Sequence, residues 1–189
     1  MSGIKLFVGL GNPGEKYEKT RHNAGFWWIN LIAAQNDSHL TADAKMFGLA
    51  GKLGPHQDKW LLKPTTFMNA SGKAVAAMAN YYKISPADIL VAHDELDLPA
   101  GTAKLKLGGG GSGNGIKDII AALGTKDFWR LRIGIGHPGD KNEVVHYVLT
   151  PPAKDEQDAI DESLHQSADL LNLLVSGDFE AAMLKLHTK

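Results

Sequence analysis

Ile4-Lys5-Leu6-Phe7-Val8-Gly9-Leu10-Gly11-Asn12-Pro13-Gly14 is the stretch on which the fold turns. Its first half is a short apolar run and reads as a buried strand. Gly11-Asn12-Pro13-Gly14 then closes it with a turn. A strand of this kind needs apolar cover, so the segments that follow decide the class.

Working outward, Asn23 is placed to cap a helix with Phe26, Ile29 and Ala33 on one face. Residues 46–53 and 60–62 read as two short strands around a polar turn. Ser71 is placed to cap a helix carrying Val75, Met78, Ala79 and Tyr82 at helical spacing. Ile89 to Ala92 reads as a compact strand. Ala103 to Leu107 alternates apolar residues with lysine, as a strand with one wet face does. Ile116, Ile119, Ile120 and Leu123 return to helical spacing, and Gly124 is a natural stop. Residues 131–135 read as a further strand. Ile160, Leu164, Ala168, Leu171 and Val175 share one helical face, and a last helix after Asp178 turns Phe179, Met183 and Leu186 inward. Strands alternating with helices predict a single α/β domain over residues 1–189. Its sheet should be twisted, mixed and mostly parallel, flanked by helices. The hairpin at residues 52–60 argues against a purely parallel sheet.

The chain has 189 residues, 43% of them hydrophobic, which supports a real core. With no cysteine, a disulfide scaffold, a zinc-thiolate site and a cysteine nucleophile are excluded. No apolar run approaches the roughly 18 residues of a membrane span. The N-terminus lacks the layout of a signal peptide, so a cytoplasmic location is expected. Net charge is −1, but the charge is unevenly distributed. Residues 101–141 hold seven basic residues against three acids, and residues 153–189 hold three against eight. Such a molecule is able to hold a polyanion on one side while staying near neutral; ordinary charge scatter is the competing reading.

Several segments suit chemistry. Gly9-Leu10-Gly11-Asn12-Pro13-Gly14 fits G-x-G-x-x-G, the dinucleotide fingerprint, if a helix starts there. Pro13 and the polar run 15–19 argue against such a helix. A plain turn, or a loop that presents the Asn12 amide, are the other readings. His22 belongs near the C-terminal end of the first strand, where α/β sheets build their sites, and imidazole suits proton transfer near neutral pH. His93-Asp94-Glu95-Leu96-Asp97 ends a strand with three acids. They are either solvated turn residues or include a carboxylate that orients a histidine. No familiar metal-ligand spacing accompanies them. Asn69 lies in a strand-to-helix loop. Gly108 to Gly115, flanked by Lys104, Lys106 and Lys117, allows close approach of backbone N–H groups to a phosphate, or is a loop without a ligand. There is no G-x-S-x-G elbow. Hydrolysis by a histidine-activated water fits the inventory better than a serine nucleophile.

Five ordered segments, residues 7–14, 20–25, 64–69, 92–99 and 130–139, resemble the bacterial-type peptidyl-tRNA hydrolase family across essentially the whole chain. The resemblance implies cleavage of the ester between a peptide and the 3′ ribose of tRNA, by a monomer in the cytoplasm that needs no metal or cofactor. It implies peptidyl-tRNA as the partner, met through the tRNA acceptor end and the nascent peptide, with no membrane involved. It implies that His22 is the catalytic histidine and Asp94 the aspartate that orients it, with Asn12 beside them. Tyr17, Met68, Asn69 and Asn114 match substrate-binding positions, and Lys106, Arg132 and Lys141 match residues that take tRNA phosphates. One departure is plain. The family leads one to expect a histidine-bearing loop of the form G-G-G-H-G-G-H-N-G. Here residues 108–115 are one shorter and carry no histidine.

Overall fold

The first apolar run forms β1 (Leu6–Gly9), whose four residues are all buried, and the rest of the chain is arranged around it. The computed structural model describes residues 2–109 and 113–188. The other strands are β2 (Thr41–Asp43), β3 (Gly48–Leu53), β4 (His56–Pro64), β5 (Ile89–Glu95), β6 (Ala103–Leu107) and β7 (Trp129–Gly134). They form one seven-stranded sheet in the order β2-β3-β4-β1-β5-β7-β6. Parallel pairings, β4 with β1, β1 with β5 and β5 with β7, occupy the centre. Antiparallel pairs, β2–β3–β4 and β6–β7, form the two edges. The mixed sheet is therefore present, and the hairpin read from residues 52–60 is its β3–β4 pair.

Helices α1 (Ala24–Gln35), α2 (Ser71–Tyr81), α3 (Asn114–Leu123), α4 (Val144–Val148), α5 (Lys154–Ala168), α6 (Leu171–Ser176) and α7 (Phe179–His187) flank the sheet. Successive strand residues point to opposite faces, and the core divides accordingly. Phe7, Leu90 and Leu131 pack with Trp28 and Ile29 of α1, Ile160 of α5 and Phe179 of α7. Leu6, Val8, Ile89 and Val91 pack with Val75 and Met78 of α2 and with Ile116 of α3.

One close approach sets the position of α1. A Cβ on Gly25 would lie 2.3 Å from the Ala92 carbonyl oxygen, and one on Gly9 would lie 2.3 Å from the Gly25 carbonyl oxygen. Glycine at both positions lets the start of α1 sit against the ends of β1 and β5.

Three local readings change. Ser71 is the first residue of α2 rather than its cap, and its hydroxyl donates to the Met68 carbonyl at 2.8 Å. Asn23 makes no side-chain cap to α1. The single tail helix is two, because Leu170 N–H turns to the Ser167 carbonyl at 3.1 Å. That tightened turn redirects the chain so that Leu170, Leu171 and Leu174 are all buried.

Candidate functional site

From β1 the chain continues to the β4 side of the sheet, and from β5 it continues to the β7 side. The C-terminal ends of β1 and β5 therefore form a switch point, where α/β sheets open a crevice. A cleft of about 500 Å³ lies there. It is lined by Asn12 after β1, His22, Met68 and Asn69, the end of β5, the start of α3, and α4.

His22 sits in a 3-10 turn, Arg21–Asn23, directly before α1. Its Nδ1 lies 2.9 Å from Asp94 Oδ2. An ionised carboxylate only accepts, so Nδ1 carries the proton and Nε2 keeps its lone pair. Burial pulls the His22 pKa down, but the charge of Asp94 and its hydrogen bond outweigh this and raise it above the ordinary histidine value. The Asp94 side chain is 8% exposed and that of His22 is 22% exposed, so the carboxylate lies behind the ring and the ring reaches the cleft.

Asn12 is held on three sides. Its main-chain N–H donates to Asn23 Oδ1 at 2.8 Å, and Asn23 Nδ2 donates to its carbonyl at 3.0 Å. Its own Oδ1 accepts the Met68 N–H at 2.8 Å. That bond assigns the amide orientation, and Nδ2 of this cleft-lining residue has no partner among the described residues. Asn23, expected as a helix cap, instead clasps Asn12 and ties β1's loop to the His22 turn.

Met68 is buried, whereas Asn69 and Asn114 are exposed at the rim. A Cβ on Gly115 would stand 2.7 Å from Met68 Sδ and 2.9 Å from Leu10 Cδ1, so a side chain there would displace both. Tyr17 does not line the cleft; it packs edge-on against Phe67, which does, with ring centroids 6.2 Å apart. Opposite stand Val144, Val145, Val148 and Leu149 of α4 and its end. This apolar wall was not read from the sequence, because five residues are too few to show a period.

His93 points to the other face of β5 from Asp94. Its Nδ1 lies 2.8 Å from the Asp94 main-chain oxygen, so that nitrogen also carries its proton. Burial pushes its pKa down, and its Nε2 has no partner among the described residues. On that same face, Lys104 stands opposite Arg132 and Lys106 opposite Arg130 across the β6–β7 pair. The lysines are exposed. Arg132 Nε donates to Glu95 Oε1 at 2.9 Å. Burial works against the Glu95 charge, but hydrogen bonds from Arg132 and the Asp97 N–H hold its carboxyl below the usual range. Arg130 is buried and donates to the Gly108 carbonyl at 2.6 Å, bracing the stem of the glycine loop. Lys141 is exposed in a 3-10 turn before α4. The middle of the glycine loop, residues 110–112, lies outside the described residues.

The dinucleotide reading loses support. The loop ending at Gly14 runs into 3-10 turns, and α1 begins only at Ala24. The helix that packs against these glycines thus starts ten residues after Gly14 and not from the loop itself, and its Phe26 N–H is taken by the Leu10 carbonyl at 3.2 Å, unlike the loop-to-helix junction of a dinucleotide site. Among the described residues, no group of three histidine, aspartate or glutamate side chains is placed to hold a metal ion.

The family model described as Peptidyl-tRNA hydrolase matches residues 6–189. A protein of that name from Methylobacillus flagellatus is 64% identical over 190 residues, covering 100% of this chain and 99% of the relative. One from Neisseria gonorrhoeae is 53% identical over 188 residues, covering 98% of each. The crystal structure of peptidyl-tRNA hydrolase from Acinetobacter baumannii superposes with a TM-score of 0.96 at 43% identity, covering 100% of this chain and 96% of that one.

Proposed function

The chain belongs to the peptidyl-tRNA hydrolase family, and from that premise we propose that it hydrolyses the ester between a peptide and tRNA with His22 as the base. The observation that carries the mechanism is the 2.9 Å pair of His22 Nδ1 and Asp94 Oδ2 inside a cleft that also presents the Asn12 amide. Water placed at His22 Nε2 gives up a proton as its oxygen attacks the ester carbonyl. Asp94 fixes the tautomer and supports the imidazolium that forms. Asn12 Nδ2 donates to the developing oxyanion. When the tetrahedral intermediate collapses, the imidazolium returns its proton to the departing 3′ oxygen of the ribose. The products are a peptide with a free carboxyl group and a tRNA with a free 3′-hydroxyl, so tRNA is recycled.

The remaining cleft residues divide by chemistry. Met68 and the α4 wall suit the apolar parts of the peptide. Asn69 and Asn114, which both donate and accept, suit its main-chain amides. Tyr17 supports the Phe67 side of that groove. Lys106, Arg132 and Lys141 take phosphates of the acceptor end. The protein acts as a monomer in the cytoplasm, away from membranes and without metal or cofactor. No helix among the described residues is long and apolar enough to cross a membrane.

The test is release of free peptide from an N-blocked aminoacyl-tRNA by the purified chain, with and without excess chelator. Release that continues in chelator is expected. A requirement for an added divalent ion would overturn the metal-free mechanism, and no release at all would overturn the activity.

A further inference from the structure

The α4 wall has five residues, too few for a helix to hold itself together. Val148 is buried in the core, with Val144 and Tyr147 packed against it, but Val145 is 71% exposed and Leu149 37% exposed, so the core anchors one side of the wall and leaves its end free. That end is held by Arg21, the residue before His22, itself only 7% exposed. Its Nη1 donates to the carbonyl oxygens of Tyr147 at 3.0 Å and Thr150 at 3.2 Å, and to Thr150 Oγ1 at 2.8 Å. Its Nη2 donates to Glu156 Oε1 at 3.1 Å. The guanidinium lies over the Tyr147 ring, with Cζ 3.8 Å from the centroid. The Arg21 main-chain N–H donates to the Thr150 carbonyl at 3.1 Å. Carbonyl groups at and beyond a helix C-terminus lack helical partners, and here one side chain collects them.

The rest of the anchorage is built to match. Tyr147 donates its hydroxyl to the Ile135 carbonyl at 2.6 Å, just past the end of β7. Glu156 neutralises the guanidinium while also accepting the Ala153 N–H at 2.9 Å. The counter-charge is thereby fixed at the start of α5.

We propose that Arg21 is a positioning residue for substrate, holding the apolar α4 wall at a set distance from His22 so that the peptide beside the ester meets a preformed surface. This rests on reading the cleft as the peptide site. Arginine suits the task because its planar fork reaches several acceptors and stacks on a ring at once. Lysine keeps the charge but not the fork. With lysine at position 21 the wall would have to be ordered when substrate binds, which weakens binding without touching proton transfer.

The experiment is Arg21→Lys in the full chain, read by steady-state peptide release and by amide hydrogen exchange over residues 144–150. The expected result is KM raised about tenfold with kcat within about twofold. The acid limb of the pH profile should stay in place, and exchange should quicken in α4 but not in β5. A fall in kcat at unchanged KM, or an unchanged KM, overturns the proposal. Thr150→Val removes the Oγ1 acceptor of Arg21, and with it the Oγ1 donation to the Tyr147 carbonyl, without changing a residue of the His22 turn, and should shift KM and exchange the same way by less. Should Arg21→Lys fail to fold, Thr150→Val decides, and native KM and exchange in it overturn the proposal. A native chain that releases no peptide would overturn the hydrolase reading instead, while the exchange measurements still judge the clamp.

Discussion

At His22 the position of the proton is decided by a neighbour that can only accept, the Asp94 carboxylate 2.9 Å away. The same contact raises the pKa of the ring against the pull of burial. A base works deprotonated, so turnover should rise with pH through a pKa above the ordinary histidine value and then level. Asp94→Asn removes both contributions that raise it and leaves the burial that lowers it. In Asp94→Asn the acid limb should therefore move to lower pH, while the plateau falls by roughly 10²–10⁴ because the tautomer is no longer set. The pH profile of kcat in the two proteins checks this, and an acid limb moving to higher pH would count against it. That Asn12, His22 and Asp94 meet at one cleft was legible in part, since Asn12 follows an apolar strand, Asp94 ends one and His22 stands just before a helix rich in aromatics. Asn23 was not, since its partnership with Asn12 arises only when the loop after β1 folds back on the turn before α1. Arg21 escaped for a similar reason: its partners lie 126 or more positions away.

Among the elements, β6 was read with the bounds it has, Ala103–Leu107, because strict alternation marks both ends. β2, with three residues, and α4, with five, leave no period to read. The tail reads as one helix because its apolar positions keep helical spacing from Ala168 to Leu171; the break is a turn of backbone that periodicity does not report. The element that matters most for the site is α1, whose closeness to β1 and β5 depends on Gly9 and Gly25. In Gly25→Ala the new methyl meets the Ala92 carbonyl oxygen and the Leu10 N–H group, both backbone. Destabilisation of about 1–3 kcal/mol is expected, measured by urea unfolding. Turnover should fall as well, because α1 carries the His22 turn away from Asp94. Native stability in this variant would mean that the close approach is not needed.

For the molecule as a whole, a net charge of −1 conceals a divided surface. Lys104, Lys106, Arg130 and Arg132 share one face of the β6–β7 pair, on the side of α3. Of these four only the lysines are exposed, since Arg130 is buried and bound to the Gly108 and Gly109 carbonyls and Arg132 leans on Glu95. If this face meets tRNA phosphates, Lys106→Ala should weaken binding alike for different tRNAs. It should also lower the slope of log affinity against log salt by about 1, as loss of one phosphate contact does. Fluorescence titrations across a salt series would read it, and an unchanged slope would remove Lys106 from the interface. The charge division was visible in the sequence; which cations are free to act was not, because that depends on which carbonyl or carboxylate each meets after folding. Hydrolysis turns on one residue as base, and the most direct measurement is peptide release from an N-blocked aminoacyl-tRNA by the native chain and by His22→Ala, with tRNA binding measured in both. Binding kept and release slowed by roughly 10²–10⁴ in His22→Ala is the predicted result; release at the native rate in His22→Ala would contradict it.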